Sequence, residues 1–520
     1  MASVANHAKT RPDHPAVIFD NGERTVSYRD LERSSRRMAH LLRALGVEPG
    51  DAIAVMVGNE ELFFDTYWAA MRLGIYFTPV NWHLQDAEIA YIVDNCDARV
   101  FLASSDWEKT VTAAQIPESV VRLSSGGDIT GYRRIEEALA DAPEDAELPD
   151  QLEGQTMLYS SGTTGFPKGV RTRLSGLPAG HESVGLRAQL SMGGLFQIGQ
   201  DSRYICPAPL YHAAPLAFTM SLLRLGGTAV VMSHFDPEDA LRVIQDQKVT
   251  ASQWVPTHFR RMLHLPDEVR ARYDVSSLQV AIHAAAPCPI PIKRKMIEWW
   301  GPVILEYYAG TEGGGTIIRS EEWMDHPGSV GKHWAGGEVH ILDEDGNEVT
   351  EPTVEGAIYF DAPEQAEERF RYYKDDEKTA GSYRGSRFTL GDIGYKDADG
   401  YLFLTDRKSN MIISGGANIY PQEVENHLAS HDKVEDVAVI GVPNEDFGEE
   451  VKAVVIPRDR NAAGPDLESE LIDYCREGIA HFKCPRTIDF VDELPRTPTG
   501  KLVKRKLRDQ YWADHESHLV

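Results

Sequence analysis

Short β-rich runs alternate with helical stretches along the first part of the chain, and this rhythm restricts the fold more than any other feature of the sequence. Residues 51–59 (DAIAVMVGN) are β-rich, 60–73 carry apolar side chains at helical spacing, 76–81 read as strand, 87–94 as helix and 99–103 as strand. The rhythm returns after Tyr204, with strand at 228–232, helix at 237–246 and strand at 279–284. Strands separated by helices cannot meet through tight turns. They pair in parallel, with the helices folded across the sheet faces. The expected class is α/β, multidomain, with helix-covered parallel sheets.

The texture then changes twice. Between 325 and 405, short strands such as 339–342 and 356–360 are split by Asp-Gly turns, including Asp345-Gly346 and Asp399-Gly400. That pattern predicts a small antiparallel or β-barrel-like subdomain. Beyond Asp406, 421–429 and 467–479 read as helices, and 434–442 and 451–457 as two strands joined by an acidic turn. This reads as a separate small α+β domain. The boundary falls within 405–410, giving an N-terminal domain of 1–406 and a C-terminal domain of 407–520. Residues 138–153, acidic and Pro-containing, read as a surface loop.

A chain of 520 residues with 42% hydrophobic and 26% charged residues buries enough surface to need no cross-links. Its cysteines, at 96, 206, 288, 475 and 484, show no C-x-x-C spacing. A zinc site or disulfide scaffold is therefore not expected, and each reads as a thiol in a reducing compartment. The net charge of −27 argues against nucleic acid as a partner. No stretch of about 18 apolar residues occurs, and 1–15 lack the apolar core of a secretion signal, so no transmembrane segment and a cytoplasmic location are expected. Against this acidic background, Arg496, Lys501, Lys504, Arg505, Lys506 and Arg508 form a basic run with no acid between them.

The densest chemistry lies at 159–170, YSSGTTGFPKGV. Ser160, Ser161, Gly162, Thr163, Thr164 and Gly165 place hydroxyls and glycines in a row, and Lys168 follows. Glycine lets the backbone approach an anion, hydroxyls and N–H groups donate to phosphate oxygens, and lysine adds a mobile point charge. The segment follows an apolar turn and ends in Pro167-Lys168-Gly169, which is not linker composition. It is not a Walker loop either, which needs Gly directly before the Lys and Ser or Thr after it. A second segment at 306–313, EYYAGTEG, sets Tyr307 and Tyr308 beside Ala309, Gly310, Thr311 and Glu312. An aromatic face suits a purine, and a lone carboxylate suits a Mg2+ held mainly by water and phosphates. In GDIGY at 391–395, Asp392 can accept two hydroxyls at once as a carboxylate.

Four more segments complete a set: LYHA at 210–213, HAAAP at 283–287, SGGANIYP at 414–421 and PRTPTGK at 495–501. They occur in the order in which the adenylate-forming superfamily carries them. From near Pro15 to Leu507 the chain resembles that superfamily, which holds acyl-CoA synthetases, adenylation domains of peptide synthetases and firefly-type luciferases. It is most similar to a fatty-acid-type or aryl acyl-CoA ligase. The resemblance implies that ATP lies against residues 160–165, Lys168 and Tyr307, with Ala285, Ala286, Pro287 and Tyr308 around the adenine. It further implies Thr311 on a phosphate, Glu312 on Mg2+, Asp392 and Arg407 on the ribose, and Lys501 between the acid and the α-phosphate. Thr163, Lys168, His212, Glu312 and Lys501 are the catalytic set so implied. His212, Ala309 and Gly310 would line the acyl pocket, and Ser414, Gly415 and Gly416 the tunnel for coenzyme A. The C-terminal domain would be a mobile lid that turns about the position of Ser409.

Two positions depart from the family's pattern. The hinge residue is usually Asp or Lys, and here it is Ser409; where the acetate-specific branch has a plugging Trp, this chain has Ala309. The expected reaction is carboxylic acid plus ATP to acyl-AMP and pyrophosphate, then thioester formation with CoA. The acid is expected to be larger than acetate: a medium- or long-chain fatty acid, an aryl acid or a steroid-type acid. Transfer to a carrier-protein phosphopantetheine is the first alternative, and an ATP-binding homologue without catalysis the second. The chain closes soon after Lys501 with no carrier domain, which favours CoA. A small carboxylic acid, ATP and CoA are thus the expected partners, and a homo-oligomer is left open.

Overall fold

In a computed structural model of the protein, the described residues are 3–143, 146–160, 167–181, 191–286, 288–334, 337–364, 369–407, 410–414, 417–444, 447–496 and 502–513. The alternating rhythm builds two large sheets. The strands Ala52–Met56, Tyr76–Pro79, Ala98–Ser104 and Val121–Ser125 belong to a six-stranded sheet in which every pairing is parallel. A nine-stranded sheet is parallel through its centre, in the order Ile304–Gly310, Val280–His283, Ala251–Trp254, Arg203–Cys206, Thr228–Val231, Pro15–Phe19, and antiparallel at both edges. The helix Glu61–Leu73 explains why its sequence is apolar nearly all round: one core unites its side chains with residues of both sheets, so it has almost no solvent face. It stops at Gly74, whose φ of 66° lies in the left-handed region that a Cβ disfavours.

The Asp-Gly turns do their expected work. Gly346 and Gly400 take φ of 87° and 81°, and the strands around them form a six-stranded antiparallel sheet that ends with Leu402–Arg407. The next strand, Ile412–Ser414, belongs to a different sheet. There it pairs with the hairpin Val434–Asn444 and Gly448–Pro457, which packs with the helices Pro421–Leu428 and Pro465–Gly478 around Val424, Leu428, Val439, Val455 and Leu471. The fold is α/β and multidomain, with parallel sheets and a smaller C-terminal domain. Cys96, Cys206, Cys475 and Cys484 are buried, Cys288 is half-buried, and all five are unbridged. Among the described residues no helix is long and apolar enough to cross a membrane.

Two stretches differ from their sequence reading. The segment 138–153 is not simply a surface loop: Leu148 and Glu153 are buried, and Glu153 pairs with the equally buried Arg224 while accepting the Gly180 N–H at 2.7 Å. Its acid composition suggested solvent because the neutralising arginine is far along the chain. The basic run also has a different use. Arg496, Lys504 and Arg508 reach Asp436, Glu425 and Glu449 at 2.8, 2.9 and 2.7 Å, so these three charges bind the chain's last helix and its approach to the small domain.

Candidate active site

The C-terminal ends of the central parallel strands open onto one large cavity of ≈ 1380 Å3. Open α/β sheets bind ligands at this end because the loops there are free to converge. The strand Val280–His283 delivers Ala284, Ala285 and Ala286 to the wall. Ala285 has φ 74°, an uncommon conformation for a residue with a Cβ. The neighbouring strand Ile304–Gly310 delivers Tyr307, Tyr308, Ala309 and Gly310, and Thr311 and Glu312 follow.

Alternation along that strand separates the two tyrosines. Tyr308 donates its hydroxyl to Asp392 Oδ2 at 2.5 Å, and its ring lies 6.1 Å from Phe360. Tyr307 packs with the rings of Phe196, Phe218 and Trp334 at 5.5, 5.8 and 6.2 Å. The two tyrosines therefore divide: Tyr308 goes with the polar group, and Tyr307 joins an apolar wall. His212, just before the helix Ala213–Leu225, lines the same cavity, with its ring 4.2 Å from Tyr211.

Glu312 is held at both oxygens. Thr311 Oγ1 donates to Oε2 at 2.9 Å and Tyr372 Oη to Oε1 at 2.8 Å. Gly310 leaves room beside it: a Cβ there would stand 2.8 Å from Glu312 Oε2 and 2.6 Å from Leu390 Cδ2, and would push those side chains aside. Each carboxylate oxygen keeps acceptor capacity toward the cavity, which fits a Mg2+ that retains water and phosphate ligands. Asp392 is buried at the start of the strand Asp392–Lys396, directly across the ladder from Arg407.

The strands Leu158–Ser160 and Lys168–Arg171 pair antiparallel with Ser160 opposite Lys168, so the intervening loop starts and ends at one place. Gly169 allows that close pairing: a Cβ would meet Met157 Cε at 2.4 Å. Burial, and then the neighbouring Lys378 ammonium, push Lys168 down to about 8. Among the expected residues, Ser161, Gly162, Thr163, Thr164, Gly165, Pro287, Ser409, Gly415, Gly416 and Lys501 lie outside the described residues. Ser160 and Arg407 are placed by their backbone strands alone, and Ser414 is described but is not on the cavity wall.

The sequence reading missed Tyr372, Lys378, Trp334 and a buried charge cluster that reaches the cavity wall at Glu306. Tyr372 and Lys378 sit in RYYKDDEKT, which has no phosphate-loop texture. The cluster joins Lys293 to Glu306 at 2.5 Å, with His283 Nε2 3.5 Å from the same carboxylate. Burial raises the Glu306 carboxyl and drives the His283 ring far below its ordinary range, so the imidazole is neutral. On its far side the cavity reaches the small domain. Asp436 there accepts Arg260 from the large domain at 3.0 Å and Arg496 at 2.8 Å. Burial alone would raise Asp436, but the two guanidinium groups hold it below the usual carboxylate range.

Residues 4–368 match the model of the AMP-binding enzyme family, and 423–501 that of the AMP-binding enzyme C-terminal domain. A fatty acid–[acyl-carrier-protein] ligase of Streptomyces coeruleorubidus is 30% identical over 526 residues, covering 99% of this chain and 96% of that protein. A feruloyl-CoA synthase of an Amycolatopsis species is 32% identical over 507 residues, 97% of each. Among solved structures, o-succinylbenzoate CoA synthetase from Bacillus subtilis, in complex with its acyl-adenylate intermediate, matches with a TM-score of 0.80 at 26% identity over 97% of each chain. With its large and its C-terminal parts both matched, the chain belongs to the AMP-binding enzyme family.

Proposed function

We propose that this enzyme is an AMP-forming acyl-CoA ligase for an acid larger than acetate. One observation carries the reading: a single cavity joins the hydrogen-bonded Tyr308–Asp392 pair, the Glu312 carboxylate, Lys168 and an apolar wall around Tyr307. Those are the surfaces a nucleoside, a phosphate chain and an acyl group need side by side. A carboxylate oxygen attacks the α-phosphorus, the bond to the bridging oxygen breaks, and its electron pair leaves on pyrophosphate. Alignment and charge neutralisation dominate such a step. Tyr308 stacks on adenine, Asp392 and Arg407 accept and steady the ribose, and Lys168 with the loop 160–165 receives the pyrophosphate. A Mg2+ at Glu312 would neutralise phosphate charge when bound. Lys501 bridges carboxylate and α-phosphate. The CoA sulfur, having given up its proton, then attacks the acyl carbon and AMP departs with the electrons of the broken anhydride bond.

Domains of 1–406 and 407–520, hinged at Ser409, serve the two half-reactions in turn. Ala309 leaves the wall around Tyr307 open to a bulky acyl group, and the five unbridged cysteines fit a reducing cytoplasmic setting. A carrier-protein phosphopantetheine is the second acceptor to test, because one relative is an acyl-carrier-protein ligase. The experiment is acid-dependent ATP–pyrophosphate exchange across fatty, aryl and polycyclic acids, followed by product analysis with CoA or a carrier protein. Thioester to CoA with an acid larger than propionate is expected. Absence of acid-dependent exchange across the panel overturns the reading.

A further inference from the structure

Two lysines from separate segments meet beside a single aromatic ring. Lys168 Nζ lies 5.9 Å, and Lys378 Nζ 5.8 Å, from the centroid of Tyr372, and all three residues line the cavity. Strand pairing enforces the meeting: Tyr372 stands opposite Val170 and Arg371 opposite Arg171, which brings the helix Asp376–Gly381 over the base of the phosphate loop. Asp375 caps that helix by accepting the Lys378 N–H at 3.0 Å, so Lys378 is fixed at its backbone. The hydroxyl of the same Tyr372 binds Glu312, which places the lysine pair beside the carboxylate proposed for Mg2+.

Two neighbouring ammonium groups repel unless an anion lies between them. The Lys168 ammonium registers that repulsion, its charged form being disfavoured first by burial and next by Lys378. Of the carboxylates nearby, Asp375 offsets that repulsion only in part, and Glu312 accepts from two hydroxyls. A paired cationic surface at the mouth of a Ser/Thr/Gly loop has the chemistry of a receptor for a small polyanion.

We propose that Lys378 is a second cationic ligand of the pyrophosphate group, closing with Lys168 on the β- and γ-phosphates of ATP and on the pyrophosphate as it leaves. This deepens the ligase reading and rests on it for the identity of the anion. Lys378 touches the leaving group alone. It therefore affects ATP and pyrophosphate, and leaves the acid and the thioester half-reaction untouched.

The test titrates inorganic pyrophosphate with Mg2+ into the full-length wild type and into Lys378→Ala, Lys378→Gln and Lys378→Arg, and measures acid-dependent ATP–pyrophosphate exchange on each. Lys374→Ala is the control, because Lys374 is exposed and pairs with Asp97 at 2.8 Å. Removing one charge-assisted contact should weaken pyrophosphate binding, and raise its KM in exchange, by about 10- to 100-fold. The KM for the acid and the rate of thioester formation from presynthesised acyl-adenylate should not change, and the arginine variant should recover most of the loss. Pyrophosphate binding within about twofold of wild type in the alanine or glutamine variant overturns the proposal, as does an equal loss for acid and pyrophosphate. If pyrophosphate binding depends on Lys378 but wild type exchanges with no acid, the ligase reading falls and the phosphate site stands.

Discussion

Replacing Lys293 by methionine isolates the Glu306 charge at the edge of the active-site cavity. The stem volume is nearly kept, so the loss is electrostatic and leaves little cavity. Lys293 is wholly buried, its ammonium sits 2.5 Å from Glu306 and 4.7 Å from the Trp323 ring, and Glu306 is itself buried. Removing one member of such a pair strands the other charge, which costs about 3–5 kcal/mol. Glu306 can escape by taking a proton, and burial already raises its affinity for one. The sign follows. In Lys293→Met the folded carboxyl holds its proton to higher pH than the unfolded one, so the variant is least perturbed below the unfolded value and loses stability as pH rises toward the folded value. The slope is at most about 1.4 kcal/mol per pH unit. Urea unfolding at several pH values between 5 and 8 should show this loss, while Lys293→Met/Glu306→Gln should run parallel to wild type. A Lys293→Met protein within about 1 kcal/mol of wild type at pH 8, or one whose profile parallels wild type, would refute the reasoning.

Three further outcomes are expected. Trp334→Ala should extend the range of acids toward bulkier ones, because its indole closes the wall 6.2 Å from Tyr307; Ala309→Trp should shift the acid panel toward short chains, and unchanged profiles in both would place the acyl group elsewhere. Arg260→Ala removes the large-domain partner of Asp436 and should alter the ratio of exchange rate to thioester rate several-fold with either substrate saturated; an unchanged ratio would mean that this contact does not bias the domains. Lys501→Ala should lower adenylation by about 10²- to 10³-fold yet still form acyl-CoA from presynthesised acyl-adenylate, and equal loss in both assays would remove Lys501 from its assigned role.

The sequence displayed the architecture where local pattern decides it. Strand–helix alternation in 51–103 and the Asp-Gly turns at 345–346 and 399–400 are short-range signals, and the sheets formed as those signals require. What was hidden depends on partners distant in the chain. Glu153 reads as a solvated acid until Arg224 is seen beside it, and Lys504 reads as part of a basic patch until Glu425 is. The site divides the same way. Tyr308, Thr311 and Glu312 are contiguous and so announce themselves, whereas Tyr372 and Lys378 reach the phosphate end only because the strand Arg371–Tyr372 pairs with Lys168–Arg171. Tyr307 shows a subtler limit: contiguity with Tyr308 does not reveal that the pleat turns the two side chains to opposite faces.

The bond between Tyr308 and Asp392 has a bearing on nucleotide choice. With adenine on Tyr308 and ribose on Asp392, as proposed above, its 2.5 Å length would tie the angle of the ring to the occupancy of the carboxylate. A ribose hydroxyl arriving at Asp392 would meet a carboxylate whose Oδ2 already accepts from the phenol, so the sugar's fit and the ring's tilt would be linked through one side chain. An altered base would move the ring and loosen the sugar; a missing 2′-hydroxyl would free the carboxylate and slacken the ring. Discrimination among nucleotides would then be cooperative within a single nucleoside, and the penalties for a wrong base and a wrong sugar would not sum.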